Sequence, residues 1–145
     1  MGLPYLKIEP EQAIMILDEC IVSGYRIKDK ISQEYYSNKE QADQKIPEWQ
    51  KLANDWANST IQKLEIVFVS QKELYSFRDA RPPFGATSEN IKYIGIISHL
   101  QARTDKLNEY DLYIRNQFNV KLEVGRDLII QQGNNPQIEI ENQGN

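Results

Sequence analysis

The chain has 145 residues, 40% of them apolar, which suits one compact domain, or one and a tail, and leaves little room for a second catalytic domain. Seventeen Lys and Arg against twenty-one Asp and Glu give a net charge of −4, so no general electrostatic pull draws it to nucleic acid or an anionic membrane. The unusual number is the amide count: eleven Asn and thirteen Gln, eleven of these twenty-four lying within 116–145.

One Cys (Cys20) and one His (His99) cannot build a zinc site of three or four soft ligands within one chain, and no metal or cofactor is expected. Cys20 falls in the apolar register of Ile14, Leu17 and Ile21, which predicts a buried, inert thiol. The first residues lack the basic and apolar segments of a secretory signal, and no stretch approaches 18 apolar residues. A soluble cytoplasmic protein is the expectation.

The apolar spacing predicts a first helix over 10–37, opened by Pro10 and striped by Ile14, Leu17, Ile21, Tyr25, Ile31 and Tyr35. Gly24 interrupts that stripe at a cost of about 1 kcal/mol relative to alanine, which points to close approach of a neighbouring helix or to a kink. Residues 37–45 carry almost nothing to bury and read as a solvated connector. A second helix starts near Pro47, with Trp49, Leu52, Trp56, Thr60, Leu64 and Val67 on one face. Spacing makes the two tryptophans core residues in preference to an aromatic platform for a ligand. The helical period runs on through Ile66-Val67-Phe68-Val69, despite their strand-like composition, and Ser70 to Glu73 has the capping-box spacing of a short helix over 71–78.

Arg81-Pro82-Pro83-Phe84-Gly85 cannot be helical. Thr87 or Ser88 then caps a third long helix over 89–118, about 45 Å long, whose stripe is Ile91, Ile94, Ile97, Leu100, Thr104, Leu107, Tyr110 or Asp111, Ile114 and Phe118. After Asn119 the period changes to two. Val120, Leu122 and Val124, then Leu128 and Ile130, then Ile138 and Ile140 read as three short strands, the last two as a hairpin around Gly133-Asn134-Asn135-Pro136. The predicted fold is therefore mainly α: an antiparallel bundle of three long helices and a short one (1–118), with a small amide-rich β extension (119–145).

No phosphate-binding glycine loop and no Gly-x-Ser-x-Gly elbow occurs, so an enzyme is not expected. His99 neighbours Arg103 at i+4, which suits anion binding, while Asp105 lies on another helix face and cannot orient the imidazole. Arg115-Asn116 is similar to the start of the Arg-x₄₋₆-His motif of HEPN-type ribonucleases, but no histidine follows. Asp18 with Glu19, and Glu139 with Glu141, read as solvated surface pairs. Arg78 and Arg81 flank Asp79 beside the Pro-Pro turn and Phe84, the place where charge, aromatics and irregular backbone meet. That loop is the leading candidate for a ligand or partner site, against the plainer reading of an Arg–Asp pair tying it to the bundle.

Trp49, Trp56, Thr60, Leu64, Phe68, Ser70 and Phe77, followed by an Ile/Leu-rich long helix, resemble the helical modules that precede TIR-like or other effector domains in bacterial signalling and anti-phage proteins. The resemblance covers about 10–117 and implies recognition, docking or oligomerisation in place of catalysis. The leading expectation is a non-enzymatic interaction module that binds a protein partner or self-associates, through a bundle face or the 120–141 strands. The alternative is a sensor or sequestering protein for a small anion such as a nucleotide, held by Arg78, Arg81, Arg103 and His99.

Overall fold

A computed structural model describes residues 5–83 and 89–119. Its elements are α1 (Pro10–Ser37), a 3₁₀ turn (Lys39–Gln41), α2 (Ala42–Val67), α3 (Lys72–Arg78) and α4 (Ile91–Phe118). The expected bundle of three long helices and a short one is present. Phe84 and all the expected strand residues, Val120 to Ile140, lie outside the described residues.

α1 has the expected bounds, and Ile14, Leu17, Ile21, Ile31 and Tyr35 are buried along its inner face. It runs antiparallel to α4, with contacts in step along both helices. Tyr35 stacks on Tyr93 (centroids 3.7 Å apart, planes 9° apart), Asn108 Nδ2 donates to the Tyr25 hydroxyl at 3.3 Å, and Arg115 Nη2 donates to Asp18 at 3.1 Å. Gly24 resolves as close packing: a Cβ there would lie 2.5 Å from Thr104 Cγ2 and 2.7 Å from Trp56 Cζ2.

The connector is shorter than expected. Asn38 and one 3₁₀ turn suffice, and α2 begins at Ala42 because Ala42 and Ile46 both have core to cover. Pro47 therefore sits inside the first turns of α2, exposed to solvent, where it removes only the amide that would have reached Asp43. Trp49 and Trp56 are core, as the spacing predicted. Trp49 Nε1 donates to Glu34 at 2.8 Å and Trp56 Nε1 to the Cys20 carbonyl at 3.0 Å, so each indole N–H is satisfied inside the bundle.

α2 does not continue through 66–69. It stops at Val67, and Phe68 turns extended (φ −109°, ψ 140°) to form an isolated antiparallel bridge with Leu6. The extended backbone lets Lys7 N–H reach the Val67 carbonyl and Val69 N–H the Tyr5 carbonyl, and buries the Phe68 ring edge-on to Tyr110 at 5.4 Å. No longer strand pairing forms among the described residues. α3 starts one residue later than expected and without the capping box: Gln71 holds the cap position with no side-chain bond, and the Ser70 hydroxyl accepts the Lys72 amide at 3.0 Å.

α4 departs from expectation at its start. Asn90 is the cap, not Thr87 or Ser88; its side-chain oxygen accepts from the amides of Lys92 and Tyr93. The buried stripe is Tyr93, Ile96, Leu100, Thr104, Leu107, Tyr110, Asp111 and Ile114, while Ile91 is 75% exposed and Phe118 44%. Tyr93 sets this phase through its stack on Tyr35 and its hydroxyl bond to Ser32 at 3.0 Å. The helix ends where Asn119 adopts the left-handed conformation (φ 56°), a position asparagine tolerates.

Candidate anion-binding cleft

Two clefts flank α4 near the residues singled out in the sequence. The larger, about 770 Å³, lies between α4 and the end of α3, and three carboxylates (Asp79, Asp105, Glu109) outnumber Arg81 and Lys106 along its walls. The smaller, about 520 Å³, lies between α2 and α4, and its charged walls are entirely cationic: Arg81, Lys92 and Arg103, with His99 between the last two. Both volumes suit a small ligand. Among the described lining residues, only the second carries charge of a single sign.

Local helix geometry explains the cationic wall. Lys92, Gly95, His99 and Arg103 recur at spacings of three, four and four, so they share one face of α4. Gln50, Ala53 and Asn54 do the same on α2 and supply the opposite wall, two amides around a small apolar floor. Arg81 closes one end from the segment after α3.

Arg103 is anchored from behind. Its Nη2 donates to the Arg78 carbonyl at 2.9 Å and its guanidinium lies 5.9 Å from the Phe77 ring centroid, while Nε is buried without a hydrogen-bond partner. Burial, reinforced by Arg81, holds the guanidinium below its ordinary range, with Asp79 pulling the other way. Arg81 is exposed and repels the half-buried Arg103, and Asp79 offsets part of that repulsion for both. His99 Nδ1 lies 2.9 Å from the Gly95 carbonyl, an acceptor, so Nδ1 carries the proton and Nε2 remains for other contacts.

Arg78 is not part of this wall. Its side chain grips its neighbour Asp79 through two hydrogen bonds, 2.9 and 3.1 Å, on the exposed surface, and the Arg78 side chain faces Tyr75. The expected Arg78–Asp79 pair exists, but the loop is tied to α4 by Arg103 and the Arg78 carbonyl. Of the residues proposed from sequence, the structure brings together Arg81, His99 and Arg103, and adds Lys92, Gln50, Asn54 and Gly95. The 92/95/99/103 spacing is legible in the sequence, but Lys92 and Gly95 are set apart from other helix residues only by the cleft they line.

Asp18 also departs from expectation. It is buried in place of lying on a solvated surface, because Arg115 reaches from α4 to hydrogen-bond both Asp18 and Asp111. Cys20 is buried, and desolvation pushes its thiol above the ordinary range. No group of three or more metal-ligating side chains occurs among the described residues, and no described helix is long and apolar enough to cross a membrane.

The chain matches no family model, no curated protein and no solved structure.

Proposed function

We propose that this chain is a binding protein without catalytic machinery, whose ligand is a small anion seated in the cleft between α2 and α4. The observation that carries the reading is the convergence of Arg81, Lys92 and Arg103 on one cavity that no described carboxylate lines. Such an arrangement leaves like charges facing each other, a cost that an anion offsets. The one imidazole supports recognition over catalysis, since His99 is oriented by a backbone carbonyl and not by a carboxylate. The experiment is a thermal-shift panel of nucleoside mono-, di- and cyclic phosphates. A ligand at 100 times its dissociation constant raises stability by about 2.7 kcal/mol in wild type, and Arg103→Gln abolishes the shift. Absence of any shift across the panel overturns the reading.

A different observation favours self-association. At the far end of the bundle Tyr5, Met15, Ile66 and Val69 are each more than half exposed, beside a shallow groove of about 320 Å³ floored by Ile8 and Ile16. Exposed apolar side chains gathered at one end suit a second copy of the chain, consistent with the resemblance of 10–117 to docking modules of bacterial signalling proteins. Light scattering tests it: a single-chain mass that Met15→Glu leaves unchanged removes this reading without touching the first.

A further inference from the structure

Gly95 lies in the interior of α4, where glycine is the poorest helix former after proline. In this fold the other described helical glycine has a packing reason: Gly24 admits Trp56 and Thr104, which a Cβ would strike. Gly95 has none of that kind, for a Cβ there would meet no described atom within 4 Å. Nor does its backbone need glycine, since no described glycine has a positive φ. What the missing side chain does leave is room, and that room is in the cationic cleft, one turn before His99 on the same face.

We infer that Gly95 is the floor of a phosphate subsite, on which the phosphate of a small phosphomonoester rests between Lys92 and Arg103 while the rest of the ligand extends along Gln50 and Asn54. The inference rests on the anion-binding reading above and specifies the ligand class. A phosphomonoester brings nearly two negative charges and three acceptor oxygens at neutral pH. Against three cations it is a better match than a monocarboxylate, which brings one charge and two oxygens. Arg103 Nη2 is committed to the Arg78 carbonyl and Nε is buried, so it is the remaining edge of the guanidinium that offers charge and donors to the phosphate. The His99 ring is on the same face and lines the cleft beside Lys92 and Arg103. The two amides on α2 offer donors and acceptors to a polar body such as a sugar or base.

The test compares full-length wild type with Gly95→Ala in phosphate-free buffer, using calorimetric titration with adenosine 5′-monophosphate, inorganic phosphate, adenosine and succinate, and melting curves without ligand. Wild type is expected to bind the two phosphate-bearing probes and neither adenosine nor succinate. Gly95→Ala is expected to melt higher than wild type, because alanine is the better helix former and strikes nothing, yet to bind the monophosphate at least about tenfold more weakly. Equal affinity in the two proteins overturns the role of Gly95 and leaves the anion reading standing. A variant that melts lower assigns the glycine to packing and overturns the inference as well. Succinate binding as tightly as phosphate overturns the ligand class, and a wild type that binds none of the four probes overturns the inference together with the reading beneath it.

Discussion

Asp18 on α1 and Arg115 on α4 meet at 3.1 Å across the bundle, ninety-seven positions apart in the chain, and Arg115 also holds Asp111 one turn behind it. All three side chains are largely withdrawn from water. Removing the guanidinium leaves two carboxylates facing each other in a desolvated space, so Arg115→Met is expected to cost about 3–5 kcal/mol in urea unfolding. Replacing the trio together with apolar residues of similar volume is expected to recover most of that loss. A small effect of the single change would show that water reaches the trio.

Gly24→Ala should behave in the opposite way to Gly95→Ala. The added methyl gains about 1 kcal/mol of helix propensity but collides with Thr104 and Trp56, for a net loss of about 1–3 kcal/mol. Thr104→Ser removes the nearer obstacle, so the double variant is expected to be more stable than the sum of the two single changes. Strict additivity in that cycle would mean the helices move apart instead.

Tyr93 ties the first and last helices through ring and hydroxyl alike. Tyr93→Phe keeps the stack on Tyr35 and loses only the bond to Ser32, an expected cost of about 1 kcal/mol. Tyr93→Ala loses the stack and the edge contact with Trp49 as well, and about 3–5 kcal/mol is expected. Near-equal losses would place the value in the hydroxyl.

Burial raises the Cys20 thiol above its ordinary 9.0. Below that pH the thiol is protonated in both folded and unfolded chains and stability is unaffected; above it the unfolded chain ionises first, so stability falls as pH rises toward the folded value. Tyr93 and Tyr110, also raised mainly by burial, extend the decline to higher pH. Urea midpoints between about pH 8 and 11 should therefore drop, and Cys20→Ala should flatten the first part of the slope. Thiol-specific labelling of the native protein should be slow and should accelerate with urea.

The helices were legible where one periodic stripe stood alone. α1 has a single apolar stripe, and Trp49 and Trp56 follow α2 at core spacing. The start of α4 reads as an Ile91/Ile94/Ile97 stripe, and the buried one is Tyr93/Ile96 because Tyr93 stacks on the Tyr35 ring, some sixty residues away. Likewise Asp18 reads as a surface carboxylate until Arg115 is known to stand opposite. The end of α2 turned on the partner of Phe68, which is Leu6 at the beginning of the chain. For the cleft, Arg81, His99 and Arg103 were visible as charged residues near a broken backbone. The contribution of Gly95 depended on knowing that nothing packs over it.

The long pairing of α1 with α4 has a consequence during synthesis. From Tyr35–Tyr93 to Asp18–Arg115, the inner face of the first helix is matched by the last. When α1 to α3 have left the ribosome, Ile14, Leu17 and Ile21 still lack the helix that completes their cover. At roughly 5–20 residues per second, the forty residues from Arg78 to Phe118 leave that face open for seconds. The inner face of α1 is thus the last part of the core to be covered, and it closes only when translation has passed the end of α4.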